Sequence, residues 1–388
     1  MKKVSVILLC LMMVVSLFAM GGCGGTTPPA GATEPAGTEA AGTEPAGTET
    51  AGGEGNLKAI AKEDLVVGFV YIGDIKDGGY NEGHDKGRLA LEAEGIKCFY
   101  KENVPESSEC ETAIRELIDL GCNVIYTTSF GHMDSTLAVA KDFPEIYFGH
   151  ATGYKTADNM CTYMGKVEQA RYLTGIVAGM KTESNKIGYV MAMPYAECIR
   201  GANAFTLGVR SVNPEATVEV MLVNSWTDVA TAKQCAIELL NKGCDIIAQH
   251  HDATTPQLAA QDAGAFCVGY NVATPDVAPK AYLTSAMFNW SKFYVDNVHS
   301  IIDGTWGPHT YWEGLDAGWV AIDELSDLCP EGAQAKVDEV QKAIIDGSFN
   351  IFGGEIKNQK GEVQATDMTD EEVWNMEWFV EGVIANLS

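Results

Sequence analysis

A chain of 388 residues with a formal charge of −27 repels phosphate backbones and anionic membrane faces, which excludes nucleic acid as a partner. Its length is more than one compact core usually holds, so two lobes are expected. Eleven cysteines suggest a disulfide framework. Their contexts argue against one: Cys122, Cys244 and Cys267 begin apolar strands, and Cys98, Cys161 and Cys198 sit in no CxxC or Cys/His metal spacing. They read as small core hydrophobes.

Lys2 and Lys3 precede an apolar run from Val4 to Met20, followed by Gly21-Gly22-Cys23. A basic start, an apolar stretch and small residues make a secretory signal over residues 1–22. With a cysteine directly after the small pair it resembles a bacterial lipoprotein signal, which implies that Cys23 is lipidated and anchors the protein outside the cytoplasmic membrane. The alternative is an uncleaved membrane helix, since the run is at the short end of what spans a bilayer. Gly21 to Gly25 would end such a helix abruptly. Residues 24–55 hold only Gly, Thr, Pro, Ala and Glu, with glutamates at 34, 39, 44, 49 and 54. That composition buries nothing, so 23–55 reads as a lipidated cysteine and a disordered tether reaching about 30 Å.

An internal repeat follows. Glu116 to Tyr126 (ELIDLGCNVIY) returns as Glu238 to Ala248 (ELLNKGCDIIA). Each copy is a helix end, a glycine cap and an apolar strand, the αβ step of a parallel sheet. Upstream, Val66 to Tyr71 and Lys186 to Met191 read as strands, each followed by a polar loop and a helix, Asn81 to Glu94 and Ile199 to Val212. Two runs of alternating strands and helices predict an α/β protein of two doubly wound parallel-sheet lobes. Lobe 1 is expected over 64–160, with about 283–315 returning to it. Lobe 2 is expected over 161–282, with part of 316–388. The joints are expected near Ala157 to Tyr163 and Ala281 to Ser285.

In such sheets ligands bind beyond the carboxyl ends of the strands. That singles out the loops at 73–81, 127–135, 192–198, 249–255 and 269–276. Asn81 suits a helix N-cap, and Tyr80 beside it suits stacking on a flat ligand. Thr127-Thr128-Ser129-Phe130-Gly131 offers hydroxyls and exposed amides. Pro194-Tyr195-Ala196-Glu197 fills the matching loop of the second lobe, and Trp226 follows the strand Val218 to Val223, before a helix capped near Asp228. His250-His251-Asp252 ends another strand. Adjacent histidines there point to opposite faces, which disfavours a shared metal, so they read as hydrogen-bonding cleft residues. No metal or cofactor is expected. No GxSxG, HExxH or Walker motif occurs. Carboxylate pairs among Asp74, Asp77, Glu197 and Asp252 leave a hydrolase as the rival class.

Asp77-Gly78-Gly79-Tyr80-Asn81-Glu82 with Gly87 resembles the ligand loop of the basic membrane protein family, the purine nucleoside receptor lipoproteins that feed ABC transporters. The resemblance continues in order through His150 to Gly153, Arg171 to Gly175, Gly201 with Gly208, Val212 to Pro214 and Leu283 to Ser285. It implies a type I periplasmic-binding-protein fold, with two hinged lobes clamping a purine between aromatic rings. Tyr80 matches the first-lobe ring and Asn81 the base-contacting Asn, with Tyr195 or a neighbour standing for the second ring. The pattern breaks where the family's ribose-reading acid becomes Asn271, in Gly269-Tyr270-Asn271, and where its lysine becomes Phe288. His-Ala-Thr-Gly-Tyr-Lys, Asn-Ser-Trp and Gln-His-x-Asp are closer to members holding a free base. Taken with the loops at the strand ends, the expected ligand set is Asp74, Tyr80, Asn81, Ser129, Phe130, Tyr195, Glu197, Trp226, His251, Asp252, Tyr270, Asn271 and Phe288.

The expectation is a monomeric, non-catalytic, lipid-anchored solute-binding protein that passes a purine base or nucleoside-like ligand to a membrane permease and its ATPase. The rivals are an extracytoplasmic nucleoside hydrolase and a ligand-presenting sensor.

Overall fold

The computed structural model describes residues 57–385, so the signal, Cys23 and the tether lie outside the described residues. The first lobe runs β1 (Val66–Val70), α1 (Tyr80–Ala93), β2 (Lys97–Lys101), α2 (Glu109–Asp119), β3 (Val124–Thr127), α3 (Met133–Asp142), β4 (Tyr147–Ala151) and β5 (Met160–Gly165). The second runs α4 (Val167–Lys181), β6 (Lys186–Met191), α5 (Ala196–Val212), β7 (Thr217–Leu222), α6 (Val229–Asn241), β8 (Ile246–His250), α7 (Thr255–Asp262), β9 (Phe266–Asn271) and β10 (Tyr282–Phe288). The chain then returns to lobe 1 as α8 (Trp290–Asp303) and β11 (Thr310–Glu313). It finishes on lobe 2 with β12 (Val320–Ile322), α9 (Ala333–Ile345), β13 (Glu355–Lys357), β14 (Val363–Thr366), α10 (Asp370–Trp374) and β15 (Val383–Ile384).

Two sheets result, ordered β11-β5-β4-β3-β1-β2 and β12-β10-β9-β8-β6-β7-β15. Their strands are parallel except β12, which runs antiparallel to β10. The repeat read from the sequence is a structural one. Gly121 and Gly243 each close a helix at φ 92°, a left-handed conformation that a side chain would strain, and β3 and β8 follow as central strands. The expected helix starts shift: α1 begins one residue early, at Tyr80, and α5 three early, at Ala196.

The joints differ from expectation. Met160–Gly165 and Tyr282–Phe288 are whole strands, so boundaries at 160/161 and 282/283 would cut through β5 and β10. The chain crosses after each strand ends, at Lys166 and at Asn289, and a third time between Glu313 and Val320. The three crossings are tied together. Lys166 N donates to Glu313 O (2.8 Å), Asn289 N to Trp319 O (2.7 Å) and Leu315 N to Gln169 Oε1 (2.7 Å).

The matched glycines have a packing reason. A methyl on Gly175 would lie 2.2 Å from Phe205 O, and one on Gly208 would lie 2.1 Å from Tyr172 O, so α4 and α5 touch backbone to backbone. Among the described residues all nine cysteines are free, seven of them buried. Burial pushes the thiols up, to about 12 for Cys122 and Cys244, so they behave as inert apolar groups.

Candidate ligand-binding cleft

The carboxyl ends of β1, β3, β6, β8 and β9 meet between the lobes, and the loops there touch. Gly79 of lobe 1 lies against the backbone of Asp252 in lobe 2, where an added methyl would sit 2.2 Å from the Asp252 carbonyl oxygen. Gly78 packs beside Thr254, and Gly83 beside Val272. The Phe130 ring of lobe 1 is 5.9 Å from the Tyr195 ring of lobe 2, and Tyr195 is 6.4 Å from Trp226. Phe130 and Tyr195 stay 40% and 42% exposed, as rings at the rim of a cleft do.

The first-lobe loop is held by Asp77, not by Asn81 as the sequence suggested. The Asp77 carboxylate accepts from Gly79 N (2.8 Å), Asn81 N (2.9 Å) and Glu82 N (3.0 Å), completing the N-terminus of α1. The Asn81 amide is part of the same knot, donating to Asp77 Oδ2 (2.8 Å) and accepting from Gly73 N (3.2 Å). It fixes the loop that presents Tyr80. Tyr80 donates its hydroxyl to Thr128 O and sets its ring edge-on to His84 at 4.4 Å. Burial, then Glu197, Tyr294, Asp252 and Glu106, raise the Tyr80 phenol well above its ordinary range. The phenol is therefore neutral, and its one proton is given to Thr128 O.

Two expected residues stand apart. Asp74 is exposed and accepts from Lys76 N (2.7 Å) within its own turn. Ser129 is buried, but its hydroxyl donates to Glu106 (2.6 Å), which also accepts from Gly131 N (2.8 Å). It shapes the loop behind Phe130.

In lobe 2 a polar relay lines the wall. His250 Nε2 lies 2.9 Å from the Tyr270 hydroxyl and 3.4 Å from Glu197 Oε1. Burial lowers the His250 imidazole to about 4, against the Glu197 hydrogen bond that raises it, so the ring is neutral. His251 lies just past the end of β8 and makes a different contact. Its Nδ1 accepts from Ala253 N (3.0 Å), and burial lowers it to about 4 as well. Asp252 accepts from Asn271 Nδ2 at 3.3 Å. Asn271 ends β9 at φ 71°, an unusual backbone for a non-glycine residue and one found at ligand clamps.

Phe288 ends β10 at the second crossing. It stacks on Trp290 (4.5 Å, 17° between planes), which stacks in turn on His84 (4.3 Å, 16°). Sequence reasoning missed His84, Trp290, Glu106 and Arg171. His84 lies one helical turn beyond Tyr80, a spacing that places both on one face. Arg171 lies in the first turns of α4, one turn after the buried Glu168. It is fully buried, with its guanidinium 4.0 Å above the Tyr270 ring.

Among the described residues no group of three or more His, Cys, Asp or Glu could hold a metal ion, and no helix is long and apolar enough to cross a membrane.

Residues 65–351 match the family model described as ABC transporter substrate-binding protein PnrA-like. A purine-binding protein of Brucella abortus is 37% identical over 331 residues, covering 84% of this chain and 94% of that protein. A candidate ABC transporter glucose-binding protein of Haloferax volcanii is 37% identical over 294 residues, covering 75% of each. Among solved structures, an ABC transporter solute-binding protein of Aeropyrum pernix K1 superposes with TM-score 0.65 at 16% identity, over 82% of this chain and all of that one. One from Conexibacter woesei gives 0.62 at 20%, over 74% and 98%. At those identities the likeness is one of fold.

Proposed function

We propose a ligand and a setting for this chain, which belongs to the Bmp family of PnrA-like ABC transporter substrate-binding proteins: it captures a free purine base outside the cell membrane and delivers it to a permease and its ATPase. The observation that carries the reading is the pairing of ring faces with hydrogen-bonding edges in one cleft. Tyr80 and Phe130 come from one lobe, and Tyr195, Trp226 and Tyr270 from the other. Glu197, His250, Asp252 and Asn271 lie among them. A planar heterocycle with N–H groups and ring lone pairs meets both requirements. A relative named for purine binding supports the same class.

Two of the four carboxylates that a hydrolase could use are spent elsewhere. Asp74 is exposed in its turn and Asp77 is committed to three amides, which favours binding over turnover. A purified protein that takes up adenine one-to-one and converts no nucleoside matches the reading; release of free base and ribose from a nucleoside would contradict it. A sugar is the second reading, because the Haloferax volcanii relative is named for glucose and aromatic rings beside carboxyls also suit a pyranose.

The apolar run ending at Cys23 and the polar stretch behind it support a lipid anchor at Cys23. Cys23→Ser should be shed into the medium or remain unprocessed, as read by fractionation and the mass of the mature chain. A variant processed and retained like the native protein would contradict lipidation at Cys23.

A further inference from the structure

Two carboxyl side chains meet the cleft from lobe 2, and their surroundings are opposite. Behind Glu197 stand His250 at 3.4 Å, the Tyr270 hydroxyl beyond it, and two buried guanidinium groups. Arg171 lies over the Tyr270 ring, and its three guanidinium nitrogens have no hydrogen-bond partner among the described residues. Arg200 is buried beside Glu168 at 3.6 Å. Burial pushes the Glu197 carboxyl up, but the His250 hydrogen bond and the nearby positive groups outweigh it and hold it below its usual range.

Asp252 has none of this. It is 6% exposed and receives one long hydrogen bond, from Asn271 Nδ2. The groups that face it are Asp77 from the loop before α1, Tyr80 from α1, Glu197 from α5, Tyr270 and Asn271 from β9, and His250 and His251 beside it in the chain. Among these no group is an arginine or lysine and both imidazoles are neutral, so nothing cationic offsets a charge on Asp252. Burial first, then Asp77, raise its carboxyl well above the usual range. Asn271 Oδ1, buried beside it, has no hydrogen-bond partner among the described residues.

We propose that Asp252 meets the ligand as a neutral carboxylic acid and Glu197 as a carboxylate, so that the cleft reads a base edge on which a lone pair neighbours an N–H. Asp252 donates to the ring nitrogen or carbonyl oxygen, and Glu197 accepts from the N–H. Opposed environments for two carboxyls in one site are a known route to a donor–acceptor pair at neutral pH. The inference rests on the purine reading and adds to it a proton held at a named atom.

The sign follows. Ligand that requires protonated Asp252 binds best at low pH and weakens as pH rises through that group's folded-state range, and at the upper end binding takes up a proton. The test is calorimetric titration of the native protein with adenine from about pH 5 to about pH 9, in buffers of differing ionisation enthalpy. Asp252→Asn and Asp252→Leu are titrated alongside. Affinity should fall with rising pH in the native chain. Asp252→Asn keeps a donor, so it should bind within a few-fold of the native protein and show a flat profile. Asp252→Leu should lose about tenfold or more. Affinity that stays level or rises with pH, or equal losses in the Asn and Leu variants, overturns the proposal while leaving purine binding intact. A native protein that binds no adenine at any pH overturns the purine reading and the inference with it.

Discussion

Gly79→Ala should bind adenine about tenfold to a hundredfold more weakly than the native chain while unfolding at the same denaturant concentration. Its added methyl would fall 2.2 Å from the Asp252 carbonyl oxygen, an atom fixed by backbone and unable to rotate away. The clash exists only where the lobes meet, so neither lobe's core is touched and stability is kept. A two-lobed receptor gains affinity from contacts made in the closed state alone, and a substitution that excludes that state lowers apparent affinity by the population lost. Small-angle scattering separates this from a local defect. The native protein should shrink on saturation with adenine, and Gly79→Ala should not. A variant that contracts and binds like the native chain would show that the 78–79 loop is no part of closure.

Trp290→Ala should cost about 3–5 kcal/mol of stability, read as a lower urea midpoint at unchanged slope. Trp290 is 2% exposed and lies between His84 and Phe288, ring on ring on both sides. The stack joins α1 of lobe 1 to the end of β10 in lobe 2, beside the crossing at Asn289. Removing the indole takes away two stacked contacts and leaves a cavity that neither neighbour can fill by a rotamer change. Trp290→Phe should recover most of the loss. A loss below about 1 kcal/mol for Trp290→Ala would mean that the crossing is held by its backbone hydrogen bonds instead.

The sequence made the lobes legible because strand periodicity and glycine caps are local. Gly121-Cys122 and Gly243-Cys244 announce the same αβ step twice, and both steps occur. The joints were harder to read. Nothing in Met160 to Gly165 distinguishes a strand that completes its sheet before crossing from one that crosses as it begins; the pairing of β5 with β4 and β11 decides it. The third crossing, after Glu313, has no periodic signal because it is a loop.

The cleft divides in the same way. Tyr80, Tyr195 and Trp226 were visible as large aromatics in polar loops, where burial gives them no purpose. The local roles of Asn81 and Ser129 need the fold, since Asp77 and Glu106 compete for the same backbone and hydroxyl groups across it. Arg171 and His84 lie on helices and reach the cleft only through tertiary packing. Phe288 looked like a lost lysine, and its place in a stack with Trp290 shows what its ring does instead.

That stack also bears on the ligand. A phenyl ring at 288 and an amide at 271 offer ribose no charged partner, and an unmade hydrogen bond to a buried hydroxyl costs about 1–3 kcal/mol. The measurement that tests the account most directly is calorimetric titration with adenine, guanine, hypoxanthine, their nucleosides and glucose under one set of conditions. The account predicts one-to-one binding in which a free base is about tenfold tighter than its nucleoside, with glucose silent. Nucleosides binding consistently tighter than their bases, or glucose binding while every purine fails, would contradict it.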